Sequence, residues 1–238
     1  MKSDFKSSFW KKFAKEFWER KPLLVKNFDS EVSKIDDCSV FNMLTVFSNH
    51  CRKTKSSDGF KLYLNGKIQH SKFTLRHLPV KSDKSLVGYH KRMEKKFSNY
   101  CLVCDELLRV STKHMNKIKQ FQKNVFNRIK SPNLFVEMGL YLGNYRKTPF
   151  GVHADGCGVF SFPVVGNKTF RLWKPSFAKK NPALNRALNY NRFKKDSKTM
   201  AARPGDMTYW PSSAWHIAES DGTFNATWSL GIWIDQIW

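Results

Sequence analysis

Acidic residues are scarce in this chain of 238 residues: 19 Asp and Glu stand against 42 Lys and Arg, a formal net charge of +23. The excess runs along the whole sequence rather than in one tail, so the surface carries a positive potential that favours acidic partners. Two readings stay open, charge kept for solubility and charge kept for an acidic peptide, protein or nucleic acid. The nucleic-acid version has neither an RNA-binding signature nor zinc-finger spacing behind it. Long apolar runs are missing too. Nothing approaches the ~18 residues of a membrane span, and the N-terminus lacks a signal-peptide core, which points to a soluble protein. Cysteine is sparse and odd in number, five in all, without the framework of a small secreted domain, so a reduced, cytoplasmic setting is expected. Cys101 and Cys104 form a lone CxxC in "FSNYCLVCDELLRV", whose apolar spacing reads as helical; core packing is preferred over half a zinc site. Glycine and proline are absent between Tyr89 and Ser131, extending a basic and mostly helical pattern from about Lys84 to Lys130, closed by Pro132.

What is present is apolar and aromatic. A hydrophobic fraction of 41%, with 20 Phe and 8 Trp, buries enough surface to offset chain entropy. Phe5, Phe9, Phe13 and Phe17 recur every fourth residue with lysines between them, giving a basic amphipathic helix. Such a helix permits a membrane-surface role, but packing of the stripe on the domain is preferred. A turn at Lys21-Pro22 leads into a short strand over Leu23 to Val25, residues 37 to 50 suit a helix, and Asn65-Gly66 between strand-like residues predicts a hairpin. Beyond residue 130 the runs "LFVEMGLYLGNY", "GVFSFPVV", "KTFRLW", "MTYW", "WHIAES" and "NATWSLGIWID" are short and β-rich, which argues for a sandwich or barrel. An insertion at about 174 to 197, rich in Asn, Lys and Arg, is expected to loop out. The division predicted is 1–130, N-terminal helices and short strands packing on a barrel, and 131–238, the barrel itself, together one compact unit. No internal repeat is visible, which excludes propellers and solenoids.

One stretch concentrates chemistry: "GVHADGCGVFSFPVVGNKTFRLW", residues 151 to 173. His153 and Asp155 stand at i and i+2, and in a strand that spacing turns both side chains to one face. A non-haem Fe(II) site needs two imidazoles and one carboxylate on one face of an octahedron. His216, after the Pro204-Gly205-Asp206 turn and the run Met207 to Trp210, is the candidate for the second imidazole. An HxD alone arises by chance in many chains; its conjunction with Lys168, fifteen residues past His153, and with His216 is what argues for a site. Lys168 sits in an apolar strand, where a buried ammonium needs an anion, and with no acidic residue well placed in sequence a ligand carboxylate is the natural partner. His50, His70, His77, His90 and His114 fall outside this set and read as surface or locally hydrogen-bonded. Trp215 packs either under the metal or in the core.

At these residues the chain resembles the JmjC and cupin-like double-stranded β-helix (jelly-roll) oxygenases, and the opening "FWERKPLLVKNF" resembles that family's protein hydroxylases. The resemblance implies that His153, Asp155 and His216 bind Fe(II), that Lys168 holds the distal carboxylate of 2-oxoglutarate, and that O2 is the oxidant. It implies further cosubstrate contacts from Tyr141, which assists Lys168, from Thr208 beside the Pro-Gly-Asp turn, and from Ser229 in "WSLGIW". Gly139 stands where many relatives carry asparagine. The expected activity is hydroxylation of an amino-acid side chain in a peptide or protein, with succinate and CO2 as coproducts and an acidic substrate drawn by the +23 charge. Relatives acting on ribosomal proteins continue into helical and winged-helix segments beyond the last strand, so a small peptide substrate is expected instead. A cupin-type metal enzyme or binding protein acting on a small molecule without 2-oxoglutarate is the competing reading, and it leaves Lys168 without a purpose.

Overall fold

The computed structural model describes residues 7–129 and 136–233; the predicted stop at Pro132 lies outside them. Phe9 and Phe13 of the aromatic stripe lie in α1 (Ser7–Glu16), which buries Trp10 and Phe13 against the domain with Phe13 edge-on to Tyr209 at 4.8 Å; Phe17 follows the helix and Phe5 lies outside the described residues. After β1 (Leu23–Val25), α2 (Asp37–Thr54) starts where the Asp36 carboxylate accepts the Ser39 N–H at 2.8 Å, satisfying a backbone donor that the first turn leaves free. The predicted hairpin is β2 (Phe60–Leu64) with β3 (Lys67–Ile68); its two turn residues, Asn65 and Gly66, have φ of 47° and 80°, the left-handed pair this tight turn requires. Helices α3 (Ser71–His77) and α4 (Leu86–Glu94) follow.

The expected continuous helical stretch is broken by β4 (Tyr100–Cys104) before α5 (Thr112–Ile129). Every residue of β4 is buried, so "YCLVC" shows no alternation, and periodicity alone cannot separate such a strand from a buried helix. Its two cysteines therefore sit on opposite faces of a central strand. The β-rich half supplies β5 (Val136–Gly143), β6 (Cys157–Val165), β7 (Lys168–Trp173), α6 (Pro175–Lys180), β8 (Lys198–Ala202), β9 (Met207–Trp210), β10 (Trp215–Glu219) and β11 (Asn225–Trp233).

Two antiparallel sheets result, one in the order β1-β9-β6-β11-β5-β4-β2-β3 and one in the order β10-β7-β8. They face each other as a jelly-roll does, without hydrogen bonds closing them into a ring. Strands from before residue 130 are hydrogen-bonded members of the large sheet, so the N-terminal part extends it as well as packing on it.

Period-two alternation sorts the large sheet into two faces. Met138, Leu140 and Leu142 of β5, Phe160 and Phe162 of β6, Met207 and Tyr209 of β9, and Trp228 and Leu230 of β11 enter the main core beneath α1, α2, α4 and α5. The intervening residues, Glu137, Gly139 and Tyr141, then Thr227, Ser229 and Gly231, line a cavity between the sheets. The insertion after β7 does not loop free. Its short helical turns bury Ala178, Leu184, Tyr190 and Phe193 against Trp173 and Ile217, on the outer face of the small sheet. The Arg171–Glu219 ion pair, N···O 2.9 Å, lies on that same face.

A candidate metal and cosubstrate site between the sheets

The cavity holds about 130 Å³ and receives side chains from both sheets. His216 on β10 points inward because Ile217, its neighbour, is taken by the outer core. His153 and Asp155 lie in the segment leading to β6 rather than on the strand expected for them; a single bridge fixes the segment, with the His153 N–H donating to His216 O at 3.0 Å and the His216 N–H donating to His153 O at 2.7 Å. That bridge brings the imidazole rings to 4.4 Å between centroids.

The geometry suits a divalent cation. His153 Nε2 lies 3.3 Å from Asp155 Oδ1, His216 Nε2 lies 3.4 Å from Asp155 Oδ2, and the three candidate ligand atoms fall within 4.8 Å of one another. Both imidazoles engage backbone carbonyls through Nδ1, His153 with Gly151 O at 3.0 Å and His216 with Ala214 O at 3.1 Å, which puts the proton on Nδ1 and leaves each Nε2 lone pair toward the centre. Burial drives the His216 pKa down to about 4, despite the opposing pull of Asp155. Burial would raise the Asp155 carboxyl, but His216 and His153 together outweigh it and hold the pKa at about 2. At neutral pH His216 is thus a neutral imidazole and Asp155 an ionised carboxylate, and with His153 they make up the residue types of a two-histidine, one-carboxylate Fe(II) site. Trp210 packs 4.8 Å from the His216 ring, while Trp215 faces outward into the insertion's core.

Deeper in the cavity Lys168 is 2% exposed. Its Nζ donates to Tyr145 Oη and, at 2.8 Å, to Asn225 Oδ1, both neutral, and burial lowers its pKa to about 7. Two threonine hydroxyls of the same cavity, Thr148 Oγ1 and Thr227 Oγ1, are buried without a hydrogen-bond partner. An ammonium without a counter-ion beside two orphaned hydroxyls is a cradle for a carboxylate.

Tyr141, Ser229 and Thr208, expected at the cosubstrate, take different places around the cavity. Tyr141 lines the cavity, its phenol pKa raised by burial and then by Asp155, but the tyrosine on Lys168 is Tyr145. Ser229 lines the cavity and donates to Ser161 Oγ at 2.9 Å. Thr208 is buried outside the cavity lining, within 3.5 Å of Ser161 O. Sequence reasoning missed Tyr145, Thr148, Thr227 and Asn225; the signal available for Thr227 was its i−2 relation to Ser229 on one strand. Of the remaining histidines, His70 caps α3, His77 engages Phe73 O, His90 engages Tyr100 and His114 engages Ser111.

Two facing antiparallel sheets holding a His-x-Asp and a distant histidine define a jelly-roll metal-site protein. The JmjC domain matches residues 113–237, more than half of the chain, and the chain belongs to that family. No curated protein sequence matches it. Among solved structures it resembles Escherichia coli YcfD, at 14% identity and a TM-score of 0.56 over 96% of this chain and 54% of that one. A structure of YcfD described as a ribosomal oxygenase in complex with cobalt and 2-oxoglutarate matches at 13% identity, with a TM-score of 0.54 over 96% and 52%. The chain thus spans about half the length of the structures it matches. Among the described residues no helix is long and apolar enough to cross a membrane.

Proposed function

We propose that the chain is an Fe(II)- and 2-oxoglutarate-dependent oxygenase that hydroxylates a side chain of a peptide or protein. The observation that carries the reading is Lys168, a cation buried with neutral partners in the same cavity as His153, Asp155 and His216. The bound metal with 2-oxoglutarate and O2 would supply the oxidising chemistry, releasing succinate and CO2. The protein's part is placement. His153, Asp155 and His216 would hold the metal on one face, and Lys168, Thr148 and Thr227 would hold the distal carboxylate. The phenol of Tyr145 and the amide of Asn225 aim the lysine. The apolar wall of Val159, Phe170, Trp210 and Ala218 excludes water.

A polypeptide substrate is supported by the matched structures, which are of a ribosomal oxygenase, and by the wide basic surface, which supports a partner acidic outside the residue modified. The test is anaerobic loading with Fe(II) and 2-oxoglutarate, followed by succinate measurement after air, with candidate peptides including ribosomal-protein peptides. Succinate above the metal-free background, increased by a peptide that gains one oxygen by mass, is expected; absence of succinate under every condition removes the reading. The reading without 2-oxoglutarate has no observation in its favour, because it leaves Lys168 and both hydroxyls unused.

A further inference from the structure

One hydrogen-bond donor in the wall of the cavity, at its metal end, stands unpaired. Trp210, the last residue of β9, is 3% exposed and lines the cavity, with its ring 4.6 Å from Phe170 and 4.8 Å from His216. Met207 and Tyr209 turn to the main core, so alternation along β9 turns Trp210 the other way, and its pairing with Val159 of β6 fixes it there. The indole N–H is buried without a hydrogen-bond partner, a state that costs stability unless a ligand or a rearranged neighbour supplies the acceptor. Trp10 and Trp228 also bury an unpaired indole N–H, but both lie in the apolar main core. Trp210 instead stands beside a carboxylate: burial would raise the Asp155 carboxyl, and the Trp210 N–H joins His216 and His153 in lowering it.

Asp155 has a matching need. Its ion-pair contacts among the described residues are to His153 Nε2 at 3.3 Å and His216 Nε2 at 3.4 Å, the two nitrogens whose lone pairs a metal would take. An ion held by all three ligands would replace both contacts. A carboxylate bound through one oxygen then has its other oxygen free to accept a hydrogen bond, and ligating carboxylates are held in this way by donors that do not touch the metal themselves. Without such a donor the carboxylate can close on the ion with both oxygens and occupy a position that a two-histidine, one-carboxylate site keeps open.

We infer that Trp210 is a positioning residue of the metal centre: its indole N–H donates to the Asp155 oxygen turned away from the metal and confines that ligand to one oxygen. This role rests on the metal site of the proposed function, and not on the cosubstrate or the substrate. The donor finds its acceptor when the ion is bound, so the bond contributes to metal affinity rather than to the stability of the metal-free chain.

The test replaces Trp210 in the full chain with benzothienylalanine, an isostere carrying sulfur in place of the N–H, with Trp210→Phe as a second variant. The readouts are Co(II) titration by absorption, melting of the metal-free chain, and the indole N–H resonance of isotope-labelled tryptophan during titration with Zn(II). Loss of this one donor should weaken Co(II) binding by about ten-fold in both variants, the lower range for outer partners of a metal ligand, and should change the position and intensity of the Co(II) bands. The metal-free melting temperature of the isostere protein should not fall, because the deleted donor has no partner there. In wild type the Trp210 resonance, identified by its loss in Trp210→Phe, should move downfield as Zn(II) binds. Unchanged Co(II) affinity and bands in the isostere protein, a Trp210 resonance that does not move, or a lowered melting temperature with metal affinity intact would each overturn the role of Trp210 while leaving the metal site standing. Wild-type protein that takes up neither Co(II) nor Zn(II) would remove the metal site and this role with it.

Discussion

At one end of the cavity a cation is sealed from water with neutral oxygens for company; at the other a carboxyl stands half in solvent, held among the described residues by an indole hydrogen bond. Lys168 is 2% exposed and its neighbours are a phenol and an amide, so its charge is expensive until an anion arrives. Glu137 shares its end with Asp105 and with exposed Trp233, where solvent keeps the carboxylate tolerable without a partner. The difference separates a subsite that must be filled from one that can wait. The first suits a cosubstrate that enters before the cavity closes over, and the second suits a macromolecular side chain inserted from outside.

The largest effect that breaks this arrangement is loss of the centre between the two ends. Asp155→Ala, or alanine at His153 or His216, should lower Co(II) affinity at least about 100-fold, the upper range for outer-shell partners of a metal ligand. The fold should be retained; Co(II) absorption titrations and circular dichroism check both, and wild-type affinity would remove the metal assignment. Next, Lys168→Met should weaken 2-oxoglutarate by about 2–5 kcal/mol, the cost of deleting one partner of a buried charge pair, while Co(II) still binds. The ligand-free melting temperature reads the relief of a buried ammonium without a counter-ion against the loss of its hydrogen bonds to Tyr145 and Asn225. A Lys168→Met protein with intact 2-oxoglutarate affinity would empty the closed end of its role.

Smaller effects sharpen the map. Thr148→Val and Thr227→Val should each cost about 1 kcal/mol of 2-oxoglutarate binding, one net hydrogen bond, without lowering stability, since neither hydroxyl has a partner to lose. Thr208→Val should leave 2-oxoglutarate affinity unchanged, and calorimetric titration of the three variants distinguishes them. The smallest effect is in protons. Lys168 has a folded pKa near 7, against an ordinary 10.5, so between those values the unfolded chain holds a proton that the folded chain lacks. Ligand-free stability should therefore rise with pH across that window through this residue, and the destabilisation is fully present below it. A bound carboxylate restores the ammonium, so 2-oxoglutarate binding at about pH 8.5 should take up a proton in wild type and none in Lys168→Met. Titration in buffers of different ionisation enthalpy reads the uptake.

Much of this was legible before any coordinates. The β-rich half was readable from its short β-rich runs, as in "LFVEMGLYLGNY", where Met138, Leu140 and Leu142 enter the core and Glu137, Gly139 and Tyr141 line the cavity. His153, Asp155, Lys168 and His216 were legible because they are unusual residues for their surroundings. Tyr145, Thr148 and Asn225 were not, because common polar residues in connecting segments or at strand ends acquire meaning only when the fold brings Tyr145 and Asn225 onto Lys168 and Thr148 into the same cavity. The strand β4 was misread for a related reason: burial on both faces erases the period that distinguishes strand from helix. The insertion was taken for a free loop on composition, whereas Tyr190 and Phe193 were its anchors.

The order of the large sheet has a kinetic consequence. β11, the last described strand, lies between β6 and β5 rather than at an edge, and β1 closes onto β9 through the Leu23–Tyr209 pairing, most of the chain away. The hairpin at Asn65-Gly66 can form within microseconds, but contacts this distant in sequence incur their loop-closure cost first and slow folding. During synthesis, β5 can pair with β4 and β6 with β9, but the facing edges of β5 and β6 stay unpaired until residues 225–233 emerge between them. His153 and Asp155 are then present well before His216, so the metal centre can be completed only after β10 has emerged.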